Sequence, residues 1–174
     1  VINAPTLCVV SGTLEHLEKL SRKLADHNIE NRRINTSHAF HSYLMQGAVD
    51  SLNSLLNRIT TSRPSLPFIS NISGTYFNDS DLSDKSYWGR HLRETVRFQD
   101  GIYRLLEDGY RIFLEVGPGN TLVTFVNASF AGWKAVHQDH NENILALGSV
   151  RHFRHQQNDS VYFLYSLGRL WQHG

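Results

Sequence analysis

The feature that most constrains the fold is a short apolar run that leads into a glycine-rich turn and then into a helical pattern. Residues 112–116 form the run, residues 117–119 the turn and residues 120–130 the helical pattern. A continuous apolar run of this length is typical of a parallel sheet covered on both faces, so we expect a buried strand. A second apolar run, residues 144–147, follows the helix. Strands that alternate with helices predict an α/β fold rather than a helical bundle.

The N-terminal part indicates a strand, a helix and a second strand. Residues 4–10 are mostly apolar and predict a buried strand, and Thr13 is placed to cap the helix that follows. The apolar face of that helix consists of leucines at helical spacing, namely Leu14, Leu17, Leu20 and Leu24. We expect the helix to end near His27 and residues 32–35 to form a short strand. Strand, helix and strand are what the second half of a ferredoxin-like βαββαβ layer would give.

The middle and the end of the chain predict further helices and one more strand. A helix is expected from Ser42 onwards, and residues 66–69 predict a short strand. The most polar stretch, residues 78–84, predicts a mobile loop. Residues 87–106 predict a helix with a break near its centre, and residues 162–171 predict a C-terminal helix with an apolar face.

The composition is that of a globular protein in a reducing compartment. With 174 residues, 40% hydrophobic side chains and a formal net charge of +1, the chain can build a core and is no disordered tail. The single cysteine, Cys8, lies in an apolar run, which excludes a disulfide framework and predicts a buried thiol. No signal-like segment and no apolar stretch of about 20 residues is present, so we expect a cytoplasmic protein without membrane or nucleic-acid partners. Because the chain starts at Val1, we expect it to begin within a longer protein.

The strongest candidate for a catalytic motif is His38-Ala39-Phe40-His41-Ser42, in which two histidines flank a bulky aromatic residue. Imidazole is the usual base for a hydroxyl nucleophile near neutral pH. The segment resembles the histidine motif of malonyl-type acyltransferase domains in modular polyketide synthases and animal-type fatty acid synthases. Three more segments are similar to that family, in its order and at about its spacing: residues 3–12, 87–98 and 113–119.

The resemblance implies a role for individual residues of this chain. His41 matches the family's general base, which takes the proton from a serine nucleophile. Phe40 matches the residue that helps to select the acyl group, and its ring would fill the space that an α-methyl group needs, while His38 would line the same pocket. The family holds the second ring nitrogen of the base with a main-chain carbonyl, for which the matching position is His91. Without the resemblance, Phe40 would be interpreted as core packing and a lone histidine as a solvated or hydrogen-bonded side chain.

The resemblance also implies substrates and partners. The family transfers a malonyl extender unit from malonyl-CoA to the phosphopantetheine thiol of an acyl carrier protein, and no cofactor is expected to bind these residues. Its nucleophile lies in a Gly-His-Ser-x-Gly elbow, and this motif is absent from the sequence. The oxyanion-hole glutamine and the malonyl-binding arginine of the family have no counterpart either. We therefore expect the partners to include an N-terminal acyltransferase segment with the serine, and an adjacent ketosynthase in the parent chain.

The implied fold is the C-terminal part of an α/β-hydrolase-like acyltransferase domain. Residues 1–36 would be a partial ferredoxin-like small subdomain, residues 37–150 the C-terminal part of the large subdomain, and residues 151–174 a post-acyltransferase linker. Residues 167–174 are similar to the family's linker sequence. The alternative is a non-catalytic remnant that serves as a scaffold or docking element, although a remnant would have no reason to keep an intact base motif.

Three His-x-x-His pairs raise the question of a metal site. They are His38/His41, His137/His140 and His152/His155. A zinc site needs three or four protein ligands, usually with help from carboxylate or cysteine, and Asp139 is the only acidic residue inside any pair. We therefore predict surface or packing histidines and no metal.

Overall fold

A computed structural model gives the fold of residues 1–137 and 142–174. Within these residues, strands and helices follow one another in an α/β order. The strands are β1 (Ile2–Ala4), β2 (Leu7–Cys8), β3 (Ile112–Pro118) and β4 (Leu145–Val150). The helices are α1 (Leu14–Asp26), α2 (Gln46–Leu56), α3 (Asp79–Ser83), α4 (Tyr87–Arg93), α5 (Phe98–Glu107), α6 (Thr121–His137) and α7 (Asp159–His173). None of the helices in the described residues is long and apolar enough to span a membrane.

Contacts between residues divide the chain into two compact units. Unit 1 comprises residues 1–2 and 8–98, and unit 2 comprises residues 3–7 and 99–174. The three-part division implied by the resemblance stays a prediction, because compactness alone identifies neither a ferredoxin-like subdomain nor a linker.

The strand predicted at residues 4–10 is instead a hairpin formed by β1 and β2. Val1 and Val9 exchange backbone hydrogen bonds of 2.9 Å in both directions, and the chain turns between the two strands. Pro5, at the first turn position, has no N–H to add to a ladder, so one continuous strand is disfavoured there. Both residues of β2 are exposed, including Cys8. The predictions of a buried strand and a buried thiol are therefore wrong.

Helix α1 begins and ends where the sequence predicts. The Thr13 side chain accepts a hydrogen bond of 3.4 Å from the His16 backbone N–H, and His27 is the C-cap. Its leucine face is not buried, since no residue of α1 is buried and Leu14 is 58% exposed. The strand predicted at residues 32–35 is wrong: these residues are exposed and irregular, and no described strand pairs with them.

The helix predicted from Ser42 is confirmed, and it packs against α4. Ser42 caps a 3₁₀ turn, Tyr43–Met45, by accepting a hydrogen bond of 3.2 Å from Leu44 N–H, and α2 continues from this turn. Further along α2, the Asn53 amide lies so close to Gly89 of α4 that a Cβ at position 89 would overlap it. Glycine therefore lets the two helices approach closely at this point.

Between α2 and α4, two local predictions fail. Residues 66–69 contribute only an isolated bridge, Ile69 with Tyr76, to the described structure, because no second strand extends the pairing. The polar stretch forms the short helix α3, because Asn78 and Asp81 make a capping box in which each side chain accepts a hydrogen bond from the other's backbone N–H. The predicted mobile loop is therefore wrong, whereas the predicted helix break between α4 and α5 is confirmed.

Unit 2 is built on the parallel pair of β3 and β4, with α6 against both strands and α7 against β4. The predicted strand, turn and helix order is confirmed, and Gly119 occupies the turn with φ of 100°. The prediction that the strand is buried is wrong, since Ile112 and Leu114 are each 42% exposed and Val116 is 85% exposed. These alternate residues share one face of β3, and the buried core forms around Val126, Phe130 and Trp133 of α6.

Candidate active site

The histidine motif lies in unit 1, in an irregular segment just before the 3₁₀ turn. His41 has a φ of 58°, a left-handed conformation that is sparsely populated by residues other than glycine. Its backbone N–H donates to the Leu92 carbonyl at 3.1 Å, and its ring Nδ1 lies 3.1 Å from the Glu94 carbonyl oxygen. Such conformations persist where the surroundings hold them, and they are concentrated at functional sites.

Both carbonyls that hold His41 belong to the C-terminal end of α4. The last carbonyls of a helix have no partner within the helix and must find one elsewhere. The left-handed backbone of His41 allows its N–H and its ring to reach two of these carbonyls, those of Leu92 and Glu94, at the same time. The end of α4 therefore fixes both the main chain and the side chain of His41.

The hydrogen bond to Glu94 also decides which ring nitrogen carries the proton in neutral His41. A carbonyl oxygen only accepts, so Nδ1 must donate to it and Nε2 keeps its lone pair. The residue is half-buried, which leaves part of the ring accessible. Nε2 can therefore accept a proton from a hydroxyl or thiol placed beside it, which is what a general base requires.

The prediction that the main chain of His91 orients the base is wrong, because the carbonyl is that of Glu94. His91 lies inside α4, whereas Glu94 is the first residue after it and has an extended conformation, so its carbonyl turns away from the helix axis. The sequence signal that could have identified Glu94 was the predicted helix break just after it. The resemblance implies that a main-chain carbonyl holds the ring of the base. The structure has such a carbonyl at His41, but it belongs to a different residue.

His91 is nevertheless a neighbour of the base. Its ring centroid is 6.4 Å from that of His41, with the rings edge to face, and its Nε2 is 3.3 Å from Asn71 Nδ2, which donates to it. Burial lowers the pKa of His91, and the charge of His41 lowers it further. The lowered pKa means that the neutral form of the His91 ring is favoured beside the candidate base.

We predict that the His91 environment makes unfolding easier in mild acid. Because folding lowers its pKa, the unfolded chain binds a proton below about pH 6.5 that the folded chain does not bind. The stability is therefore complete above the unfolded pKa and falls as the pH drops towards the folded pKa. The urea midpoint of an acyltransferase domain that contains these residues should fall between pH 7.5 and pH 5.5, and less so in His91→Asn. The exposed His16→Asn is the matched control, and an equal fall in His91→Asn and wild type would contradict the prediction.

His38 and Phe40 lie together on the surface of unit 1. Their ring centroids are 5.8 Å apart, and Phe40 is 41% exposed. The segment is not helical, so the three-residue spacing of His38 and His41 does not place them on one helix face as i, i+3 neighbours. Phe40 is thus available for contact rather than committed to the core, and its role in acyl selection stays a prediction.

The hydroxyl of Ser42, next to the base in sequence, has a structural role. Its Oγ donates to the Ala39 carbonyl at 2.7 Å and accepts from Leu44 N–H at 3.2 Å. A hydroxyl whose proton is held by a carbonyl is poorly placed as a nucleophile for the neighbouring ring. The base therefore needs a nucleophile from elsewhere.

No group of three or more potential metal ligands occurs in residues 1–137 and 142–174. His137 stacks on Trp133 with 4.2 Å between ring centroids, and the rings of His152 and His155 are 6.0 Å apart. His140 and Asp139 lie outside the described residues. The expected absence of a metal stays a prediction.

Comparison with known proteins adds independent findings. Residues 1–173 match the family model described as "Acyl transferase domain". A phenolphthiocerol/phthiocerol polyketide synthase of Mycobacterium tuberculosis is 30% identical over 173 residues, which are 99% of this chain and 11% of that protein.

Two solved structures are similar over most of this chain. The acyl transferase domain of SpnD, in complex with 2-(pent-4-yn-1-yl)malonyl, has a TM-score of 0.84 and 28% identity, covering 94% of this chain and 38% of that one. The acyltransferase domain of the second module of the salinomycin polyketide synthase has a TM-score of 0.79 and 29% identity, covering 92% of this chain and 34% of that one. The chain thus spans only a small part of the curated relative, and its own fold is the α/β fold of the matching part of these domains. Since the family model matches almost every residue, this chain belongs to the acyl transferase domain family.

Proposed function

We propose that these residues are the histidine-bearing C-terminal part of an acyltransferase domain of a polyketide or fatty acid synthase. The domain would transfer a malonyl unit from malonyl-CoA to the phosphopantetheine thiol of an acyl carrier protein. The observation that carries the proposal is the His41 ring, held at Nδ1 by the Glu94 carbonyl with Nε2 left to accept a proton. The match to the acyl transferase family supports the reaction class.

In the first half-reaction, His41 Nε2 takes the proton from the serine hydroxyl of the Gly-His-Ser-x-Gly elbow. The serine oxygen attacks the malonyl thioester carbonyl, the carbon–sulfur bond breaks, and the coenzyme A thiolate leaves. The imidazolium of His41 returns the proton to that thiolate, and a malonyl-serine ester remains. General base catalysis of this kind contributes roughly 10²–10⁴ in rate.

In the second half-reaction, the same nitrogen takes the proton from the phosphopantetheine thiol of the carrier protein. The thiolate attacks the malonyl-serine ester, the carbon–oxygen bond to serine breaks, and His41 returns the proton to the serine oxygen. Throughout the cycle the Nδ1 proton stays hydrogen-bonded to the Glu94 carbonyl, which orients the ring.

Selection of the malonyl unit rests on Phe40 in this proposal. Its exposed ring is adjacent in sequence to the base and contacts His38, so it can occupy the space beside the acyl α-carbon. The resemblance further suggests the acyl carrier protein and a ketosynthase of the same parent chain as partners.

We predict that the 174 residues by themselves form no acyl-enzyme, because their sequence has no Gly-His-Ser-x-Gly elbow. Incubation of the isolated chain with radiolabelled malonyl-CoA should leave it unlabelled, whereas the full-length synthase should acquire label on a serine before the histidine motif. Stable label on a serine of the isolated chain would contradict the assignment. A folded full-length protein that remains unlabelled would instead support the non-catalytic scaffold.

A further inference from the structure

The carbonyl that orients His41 belongs to a residue whose own position has to be fixed. Glu94 follows the last residue of α4 in an extended conformation, so the helical ladder does not set the direction of its carbonyl. Its N–H still donates to the Arg90 carbonyl at 2.7 Å, which fixes the amino side of the residue. What holds Glu94 beyond this bond decides where the ring of His41 points.

The Glu94 side chain is bound by Arg90, one turn earlier in α4. Arg90 Nε donates to Glu94 Oε1 at 2.8 Å, and Arg90 Nη2 is 3.5 Å from the other carboxylate oxygen. With the backbone bond, Arg90 therefore holds Glu94 through both its main chain and its side chain.

Arg90 is in turn anchored in front of α4. Its Nη1 donates to Asp84 Oδ2 at 2.9 Å, and the other Asp84 oxygen accepts from Ser86 N–H at 2.8 Å and from the Ser86 hydroxyl at 2.6 Å. One guanidinium thus connects a residue before the helix to the residue after it. The planar fork of arginine suits this double contact, which lysine cannot reproduce.

We propose that Arg90 is a positioning residue for His41: by holding Glu94 at the end of α4, it sets the carbonyl that orients the imidazole. The proposal rests on the proposed function of His41 as general base. The relay runs from Asp84 through Arg90 to Glu94 and then to His41.

Stability alone is a weak reason for this arrangement. The side chains of Arg90 and Glu94 are 44% and 43% exposed, and such surface ion pairs contribute little to folding because water screens them. Orientation is more sensitive, since a displacement of about 1 Å can cost an active site about 10² in rate. The chain also supplies a matched control, because Arg93 of the same helix donates to Gln46 at 2.7 Å.

The test is the single-turnover rate of serine acylation by malonyl-CoA in the full-length synthase. Arg90→Ala is expected to lower this rate about tenfold, within the range for a misplaced catalytic group, and to change the KM for malonyl-CoA little. Arg90→Lys should recover part of the lost acylation rate. Glu94→Gln keeps the main-chain carbonyl, so its rate should fall less than that of Arg90→Ala. Arg93→Ala, the matched control, should acylate serine at the wild-type rate. If Arg90→Ala does not fold, Arg90→Lys and Glu94→Gln carry the test: both should acylate serine more slowly than wild type, and a wild-type rate in both folded variants would overturn the proposal.

The decisive readout is coupling to His41. In a His41→Ala background, Arg90→Ala should have no further effect on the residual rate, because a positioning residue has nothing left to position. An equal loss in both backgrounds would show a general structural role and overturn the proposal, as would a wild-type rate in folded Arg90→Ala.

A second measurement separates this proposal from the proposed function. Deuterium exchange at the carbon between the two ring nitrogens of His41, followed by mass spectrometry, should become faster in Arg90→Ala and stay unchanged in Arg93→Ala. If wild type acylates no serine, the proposed function fails, and this exchange still decides whether Arg90 holds the ring. Unchanged exchange in Arg90→Ala would overturn the positioning role.

Discussion

Replacement of His41 by alanine in the full-length synthase is expected to lower acyl transfer by at least about 10²-fold, the lower end of what a general base contributes. The alanine removes the ring whose Nδ1 donates to the Glu94 carbonyl, and with it the Nε2 lone pair to which the proposed mechanism assigns the serine proton. The relevant measurement is kcat/KM for malonyl transfer to the carrier protein, together with the rate of serine labelling. Both should fall, because the proposed mechanism uses His41 as the base in both half-reactions.

His38→Ala is the matched control for that experiment. His38 lies in the same motif but is exposed, and its Nδ1 is 2.9 Å from the Ser37 hydroxyl rather than from a carbonyl at a helix end. We expect a much smaller loss, since the partner of its ring nitrogen is the hydroxyl of the adjacent residue and the structure records no helix-end carbonyl of the described residues as its partner. If His38→Ala is the more damaging of the two changes, with folding verified for both, the roles within the motif are reversed.

The fold could be predicted from the sequence wherever one segment determines its own structure. The amphipathic helices fulfil this condition, and Thr13 and Ser42 cap the helical segments that their positions predict. The pairing of β3 with β4 was also predictable, because apolar runs on both sides of a helix give a parallel crossover.

Strands were predicted poorly because a strand depends on its neighbours. Residues 32–35 and 66–69 are predicted as strands, but no described strand supplies a ladder for them. The exposure of Val116 and Cys8 has the same origin, since burial requires a covering element that a local pattern does not report. The helix α3 was missed for a different reason: its polar residues were interpreted as a loop although two of them form a capping box.

The candidate site was likewise predictable where one segment determines it, and not where it depends on another element. The position of His41 followed from the motif, but the partner of its ring depends on where α4 ends and how the chain leaves it. A difference of three residues, from His91 to Glu94, moves the carbonyl from the helix interior to an extended residue. The contacts of Arg90 with Asp84 and Glu94 have no motif in the sequence, because charged residues at such spacing are typical of a solvated helix face.

The second large effect concerns acyl selection by Phe40. In the full-length synthase, Phe40→Ser combined with His38→Tyr is expected to raise methylmalonyl transfer relative to malonyl transfer by about 1–3 kcal/mol, the range that one methyl group supports in a pocket. If Phe40 selects the acyl group as proposed, removal of its phenyl ring opens space for an α-methyl group. His38 is changed as well because its ring lies beside that of Phe40, and neighbouring side chains commonly have coupled effects. The measurement is the ratio of kcat/KM for methylmalonyl-CoA and malonyl-CoA.

Tyr43→Ser is the matched control for this experiment, since Tyr43 is an aromatic residue of the same segment and 57% exposed. It should leave the ratio of the two specificity constants unchanged, because Tyr43 lies after His41 in the sequence, whereas the position proposed to select the acyl group lies directly before His41. A 1.4 kcal/mol preference corresponds to about a tenfold change in that ratio. If the double variant folds, transfers malonyl and keeps the wild-type ratio, Phe40 does not contact the acyl α-carbon, and selection must come from residues outside this motif.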